Sequence, residues 1–274
     1  MPAWKDRWES DDGSVVLYHG DALQILPTLE GIDAIVTDPP YVGMAGGYSY
    51  SDKGGVANRT TESVSLGDPW GAGFEWTKFA KELAPLGAVV FCSHHALPET
   101  ALAFSDWRRA VLFTWHKRNA PCQGKNVPRF TEEYAWGFAR VPGLAWDEIK
   151  STLIDVPKLA TGCMVSRERV VDEDNRALHP AQKPISVMLR VMVQIRQGMT
   201  VCDPYMGSGT TGVACIRTGR RFIGIEREPQ NSDSPDYFGI AVQRCKDELA
   251  RFPLWEKPTP SPKQLNLLEL QEAV

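Results

Sequence analysis

Apolar and polar positions along the 274-residue chain separate into short runs whose spacing names the elements. Val15–His19 is a short β-rich run, followed by Gly20-Asp21 and a helical stretch ending near Leu29. Asp33-Ala-Ile-Val-Thr-Asp38 has a buried-strand pattern, an apolar run between acids, and Pro39-Pro40 must end it because proline has no N–H for a sheet ladder. Phe74–Leu83 reads as a helix and Gly87–Cys92 as another buried strand. Ala110–His116 and Glu133–Ala139 read as two further strands separated by a long loop. Pro184–Arg196 is helical, with proline at a permitted first-turn position. Then come strand Met199–Asp203, a Gly-rich turn, helix Thr210–Thr218, strand Arg221–Glu226 and helix Tyr237–Ala250. Strands alternating with helices predict a doubly wound α/β sheet.

Three stretches break this pattern. Residues 42–73 are rich in Gly, Ser, Thr and Asp, too long for a plain connection, and read as a mobile functional loop or a disordered one. Residues 141–178 carry Pro, Trp and charge without a clear period and suggest an inserted subdomain. From Arg251 the chain is Pro-rich and ends in a short Leu-rich segment. The expected organisation is a discontinuous core over 1–140 and 179–250, an insertion at 141–178, and a linker with a tail at 251–274.

Composition narrows the class. With 43% hydrophobic and 23% charged residues the chain has ample material for one large core. Its uncharged apolar runs, such as Gly87–Cys92, are too short to span a bilayer, and Met1–Asp12 has no apolar signal core, so a cytoplasmic protein is expected. The six cysteines, at 92, 122, 163, 202, 215 and 245, stand alone, without the spacing of a zinc site or a disulfide framework. A net charge of −4 argues against non-specific coating of nucleic acid, yet leaves room for a local basic face. Arg108, Arg109, Lys117, Arg118, Lys125 and Arg129 fall between Trp107 and Phe130 without an acid. Taken alone, such a run is most often a solvated face.

Two segments carry chemistry. Val201-Cys-Asp-Pro-Tyr-Met-Gly-Ser-Gly-Thr-Thr211 leaves a strand, turns on Gly207 and Gly209 and opens a helix, so its backbone can approach a ligand closely and offer N–H groups to an anionic one. It lacks the Gly-Lys-Thr of a P-loop, and a tight turn alone would also use these glycines. Glu226, ending the next strand, is an acid placed to take two ribose hydroxyls, and together they describe a pocket for a nucleoside cofactor. Asp38-Pro39-Pro40-Tyr41 ends another strand. It can be a strand terminator with a capping acid. It also offers a carboxylate, a rigidly held carbonyl and a flat stacking surface, the parts of a receptor for an aromatic amine.

With both segments in view, the sequence resembles the amino-directed DNA methyltransferases that use S-adenosylmethionine. Asp-Pro-Pro-Tyr matches the family's catalytic motif and Asp203–Thr211 its cofactor loop. His179-Pro-Ala-Gln-Lys-Pro184 matches a His-Pro-Thr-Gln-Lys-Pro segment apart from Ala181, and Gly20-Asp21-Ala-Leu and Phe222-Ile-Gly-Ile-Glu226 also fit. Catalytic motif first and cofactor loop last is the circularly permuted order of the β group, and it implies a permuted Rossmann-like sheet. The resemblance covers roughly 15–250, except 42–73 and 141–178.

The resemblance implies roles. Asp38, Pro39 and Tyr41 form the catalytic motif, the first two accepting from the target amine and Tyr41 stacking on a base flipped from the duplex. Asp203, Gly207 and Gly209 border the methionine end of the cofactor, Glu226 takes the ribose, and Asp21 accepts from the adenine amine, although it can also be a helix cap. Lys183 is expected near the methionine carboxylate, and His179 closes that side or is a loop histidine. Asp at the head of the motif favours adenine; amino methylation of cytosine is the alternative. A DNA-binding protein of this fold that has lost catalysis is the reading from another class. Pro121-Cys122-Gln123 resembles the nucleophile motif of cytosine carbon-5 methyltransferases, but its order against the glycines is inverted and Lys125-Asn126-Val127 stands where Glu-Asn-Val is needed.

The partner is double-stranded DNA. Lys117, Lys125 and Arg129 become candidates for phosphate contacts, and Arg167, Arg169 and Arg176, in the position of a target-recognition segment, for base contacts. That segment is small for a lone subunit, so a homodimer is expected. Gln264-Leu-Asn-Leu-Leu268 resembles peptides that dock on the replication sliding clamp, and it can equally pack as a short terminal helix.

Overall fold

The computed structural model describes residues 2–39, 75–92, 96–116, 132–139, 151–155, 170–171, 182–227 and 235–251. Pro40 and Tyr41, expected in the catalytic motif, the loop at 42–73, most of 141–178, and the tail lie outside them. The elements in chain order are β1 (Asp6–Glu9), β2 (Val15–His19), α1 (Ala22–Ile25), β3 (Ala34–Thr37), α2 (Trp76–Leu83), β4 (Gly87–Cys92), α3 (Leu97–Ala103), β5 (Arg109–His116), β6 (Glu132–Ala139), β7 (Leu153–Asp155), α4 (Ile185–Met192), β8 (Thr200–Asp203), α5 (Thr210–Arg217), β9 (Arg221–Glu226) and α6 (Tyr237–Arg251).

The strands form one sheet in the order β1-β2-β9-β8-β3-β4-β6-β5-β7. From β2 to β4 every neighbour runs parallel, as does the outer pair β5–β7. β1–β2, β4–β6 and β6–β5 are antiparallel. The mostly parallel, doubly wound architecture therefore stands, with Asp38 after β3 and the Asp203–Thr211 turn after the later strand β8. The central strands read as continuous apolar runs because both faces are covered. Alternate residues of β4 show this: Val89 and Phe91 pack toward α4, α5 and α6, while Ala88 and Val90 pack toward α1 and α2.

Local chemistry sets the ends of the elements. Asp21 caps α1, its carboxylate accepting from the Leu23 N–H at 2.9 Å, and Pro27 turns the next residues into a 3₁₀ turn over Leu26–Thr28. Asp33 accepts from the Thr200 N–H at 2.8 Å, which registers the start of β3 against the start of β8. The helix expected over Pro184–Arg196 is shorter: Pro184 is its cap, and tighter turns close at Gln194 and Ile195. The buried guanidinium of Arg220 donates to the Ile195 carbonyl and adds a second donor to the Met192 carbonyl, which already accepts from the Ile195 N–H.

Three elements have no counterpart in the pattern reading. β1 is Asp-Arg-Trp-Glu, a charged edge strand whose polarity hides it while protecting the sheet edge. In α3 Thr100 is buried and Leu102 is exposed, so no apolar stripe marks it. β7 lies inside the stretch read as an insertion, and its three residues extend the sheet beside β5. No described helix is long and apolar enough to cross a membrane.

Candidate active site

The carboxyl ends of β2, β9, β8, β3 and β4 lie along one edge of the sheet, where ligands of open α/β folds bind. They deliver Asp21, Glu226, Asp203, Asp38 and Cys92 in that spatial order. Because β6 runs antiparallel to β4, its first residues arrive at this same edge: Tyr134 pairs with Cys92 and Ala135 with Phe91. Glu133 is thereby brought near Asp38, with Lys183 between them.

The Gly207–Gly209 turn is held from several sides. Gly207 and Gly209 take left-handed conformations, φ 52° and 79°. A Cβ on Gly209 would sit 2.9 Å from that of Ala241, so glycine also lets α6 approach. The Gly207 N–H donates to the Glu226 carboxylate at 2.7 Å, and Arg244 donates to the Ser208 carbonyl and hydroxyl and to the Thr210 hydroxyl. Burial lifts the Glu226 carboxyl to about 7; the Gly207 N–H opposes the shift and the charge of Asp203 adds to it.

Asp203 is 2% exposed. Its carboxylate accepts from the hydroxyls of Thr211 at 2.6 Å and Thr37 at 2.8 Å, and from the Tyr205 N–H at 3.1 Å. Burial pushes it up to about 6 against these three donors. Expected along the methionine end, it is turned inward, where it ties the end of β3 to the start of α5. Asp21 lies next to Gly20, whose N–H donates to the Glu226 carbonyl at 2.8 Å, so the two acids are neighbours at the carboxyl ends of β2 and β9.

Lys183, expected beside the methionine carboxylate, binds two carboxylates of the protein itself. Its ammonium donates to Asp38 and lies 2.8 Å from Glu133 Oε1, 5.5 Å from the centre of the Phe91 ring. Burial alone would lower its pKa; the charges of Asp38 and Glu133 outweigh burial and hold Lys183 well above its ordinary value. Cys92 borders the group, and burial pushes its thiol up to about 12. Tyr41, His179, Cys122, Lys117, Lys125, Arg129, Arg167, Arg169 and Arg176 lie outside the described residues.

The donor set fits a nucleoside-bearing cofactor. Two acids at one end offer acceptors for hydroxyls and an amine, the glycines keep side chains out of the turn, and α5 begins with N–H groups that have no partner within the helix. A family model described as DNA methylase, N6_N4_Mtase, matches residues 32–234. The chain belongs to this DNA methylase family.

The type II methyltransferase M2.DpnII of Streptococcus pneumoniae is 32% identical to the methylase over 260 residues, 85% of this chain and 90% of that one. M2.MboI of Moraxella bovis, also a type II methyltransferase, is 26% identical over 251 residues, 82% of this chain and 87% of that one. The fold is shared with the M1.HpyAVI–SAM complex, TM-score 0.55 at 24% identity over 84% of this chain and 98% of that one. It is also shared with the PvuII cytosine-N4-specific methyltransferase, TM-score 0.53 at 16% identity over 86% and 93%. The methylase uses S-adenosylmethionine as its methyl donor, and DNA is its substrate.

Two residues of the methylase's site escape motif reading. Thr37 is a fully buried hydroxyl closing an aliphatic run, and Glu133 an acid on the inward face of β6. Each left a signal, a polar residue on an apolar face, which implies a partner. The partner's identity needed the fold.

Proposed function

We propose that the methylase transfers a methyl group to the exocyclic N6 amine of adenine within a specific double-stranded DNA sequence. The observation that supports this is the placing of Asp38 and Pro39 at the end of β3, directly beside the Asp203–Gly209 turn at the end of β8, with the Thr37–Asp203 hydrogen bond between them. The adenine amine is a poor nucleophile because its lone pair is delocalised into the ring. Asp38 and the Pro39 carbonyl accept its N–H groups, favour a pyramidal nitrogen and stabilise the positive charge that develops there. S-adenosylmethionine, when bound, supplies a methyl already activated by its sulfonium centre. Asp21 accepts from the cofactor's adenine, Glu226 from its ribose, and the Gly207–Gly209 turn borders its methionine end. Tyr41 stacks on the target base after it leaves the duplex.

The same reading gives Lys117, Lys125 and Arg129 phosphate contacts, and 141–178, with Arg167, Arg169 and Arg176, base recognition. It places two copies of the methylase on one site and the protein in the cytoplasm. Gln264–Leu268 docks on a sliding clamp or packs as a terminal helix. A labelled peptide spanning 261–274 titrated with the clamp distinguishes these: binding lost on Gln264→Ala supports docking, and no binding up to about 100 μM removes it.

Nucleoside mass spectrometry of DNA from cells expressing the methylase is the primary test. N6-methyladenine is expected; N4-methylcytosine would move the assignment to cytosine, and cofactor binding without any methylated base would favour an inactive DNA-binding protein. Asp38→Ala should cost roughly 10²–10³ in rate with cofactor affinity within a few fold. Retention of most activity would remove Asp38 from the amine.

A further inference from the structure

We infer that Glu133 is a positioning residue: acting through Lys183, it offsets the positive charge that the ammonium brings to Asp38. This rests on the assignment of Asp38 as acceptor of the target amine. Lys183 reaches Asp38 from just ahead of α4, and Glu133 reaches Lys183 from the start of β6. The Lys183 and Glu133 side chains are 9% and 11% exposed and that of Asp38 is 23%, so water screens the Lys183–Glu133 contact weakly and reaches Asp38 in part.

A cation bound directly to Asp38 poses an electrostatic problem. Methylation builds positive charge on the amine that Asp38 accepts from, and a neutral Asp38–Lys183 pair would stabilise that charge poorly. Glu133 supplies the second carboxylate. Asp38, Lys183 and Glu133 together sum to one negative charge, what an unpaired Asp38 would offer. Lys183 meanwhile fixes the plane of the Asp38 carboxylate by binding Oδ2, and Phe91 flanks the ammonium. Among the described residues, the titratable groups beside this trio are Cys92 on β4 and Asp203 on β8, both linked electrostatically to Asp38.

Charge-balance variants of the full-length protein test this, with single-turnover methylation of unmethylated plasmid DNA by tritiated S-adenosylmethionine as readout. E133Q should slow transfer by about 10–100-fold, the range for partners that act through a contacting group, with cofactor affinity within about threefold. K183M leaves two carboxylates side by side, so one takes up a proton at a raised pKa, and its rate should fall at a higher pH than that of the wild type as the medium is acidified. K183M should also bind cofactor normally. E133Q/K183M restores a single negative charge and should transfer about tenfold faster than E133Q, a rescue that a purely structural role for Glu133 does not produce. A rate for E133Q within threefold of wild type, or a double variant no faster than E133Q, overturns the inference. If E133Q alone does not fold, the double variant is compared with wild type directly: a rate within about thirtyfold supports the inference and a slower one overturns it. D38A, which removes the acceptor altogether, distinguishes the two levels. An active D38A defeats the Asp38 assignment itself, whereas an inactive D38A with a fully active E133Q defeats only the role of Glu133.

Discussion

Replacing Glu226 with Gln should make the cofactor-free methylase more stable and a poorer binder of its cofactor. Burial holds this carboxyl at about 7 against an ordinary 4.5. A carboxyl raised on folding binds its proton more tightly in the folded state. Its contribution is therefore fully present below the unfolded pKa and is lost as the pH climbs through about 7. The gap between 4.5 and about 7 corresponds to roughly 3 kcal/mol against folding at pH 8 and under about 1 kcal/mol at pH 5. The side chain keeps partial contact with solvent, which brings the first figure down to about 1–2 kcal/mol. Gln retains an oxygen for the Gly207 N–H, bonded at 2.7 Å, and carries no charge to bury. The variant should therefore gain about 1–2 kcal/mol at pH 8 and almost nothing at pH 5, measured by urea unfolding of both proteins at both pH values. Affinity for S-adenosylmethionine should fall about tenfold at pH 8, since a neutral amide accepts from hydroxyls more weakly than a carboxylate. Calorimetric titration measures it. Equal stability of the two proteins at pH 8 would refute the burial argument, and a stability gain with unchanged affinity would remove Glu226 from the ribose.

Thr37→Val deletes a donor to the buried Asp203 and should destabilise the protein by about 1–3 kcal/mol in urea unfolding, removing the side-chain link between the carboxyl ends of β3 and β8. An effect below about 0.5 kcal/mol would show that the link contributes nothing. Gly209→Ala forces a side chain into a left-handed turn and against Ala241, and should cost about 1–3 kcal/mol together with a loss of cofactor affinity. Unchanged melting and affinity would contradict that account. Cys122→Ser should turn over almost normally; an inactive variant, with 5-methylcytosine in the wild-type product, would favour attack by Cys122 on the base.

Much of this architecture is legible in one dimension because the central strands are buried on both faces and so appear as unbroken apolar runs. Gly87–Cys92 and Arg221–Glu226 form the expected strands to the residue. What stayed hidden follows from the same physics: β1 is too charged, α3 too weakly amphipathic and β7 too short to leave a period. At the site, a pattern that names residue types cannot give their partners. Lys183 reads as a cation for an absent carboxylate, and only the antiparallel return of β6 reveals that the protein supplies two of its own. Asp203 reads as a ligand to the cofactor because its motif is shared. Its internal donors, one of them 166 residues away in sequence, become visible only when β3 and β8 pair.

The position of β8 and β9 has a temporal consequence. β2 and β3 follow one another in the chain yet never pair; the two strands between them are made last. A polypeptide emerging from the ribosome thus holds open two apolar strand edges until Glu226 has left the exit tunnel. Until then Asp38 has no neighbouring turn, Asp21 has no companion acid and Thr37 has no acceptor. The final insertion must close loops of well over a hundred residues, an entropic cost that rises slowly with length but makes the step slow. Methyl transfer cannot precede completion of the sheet, so a nascent or truncated chain is catalytically silent by topology alone, and its exposed edges make it a natural client for chaperones.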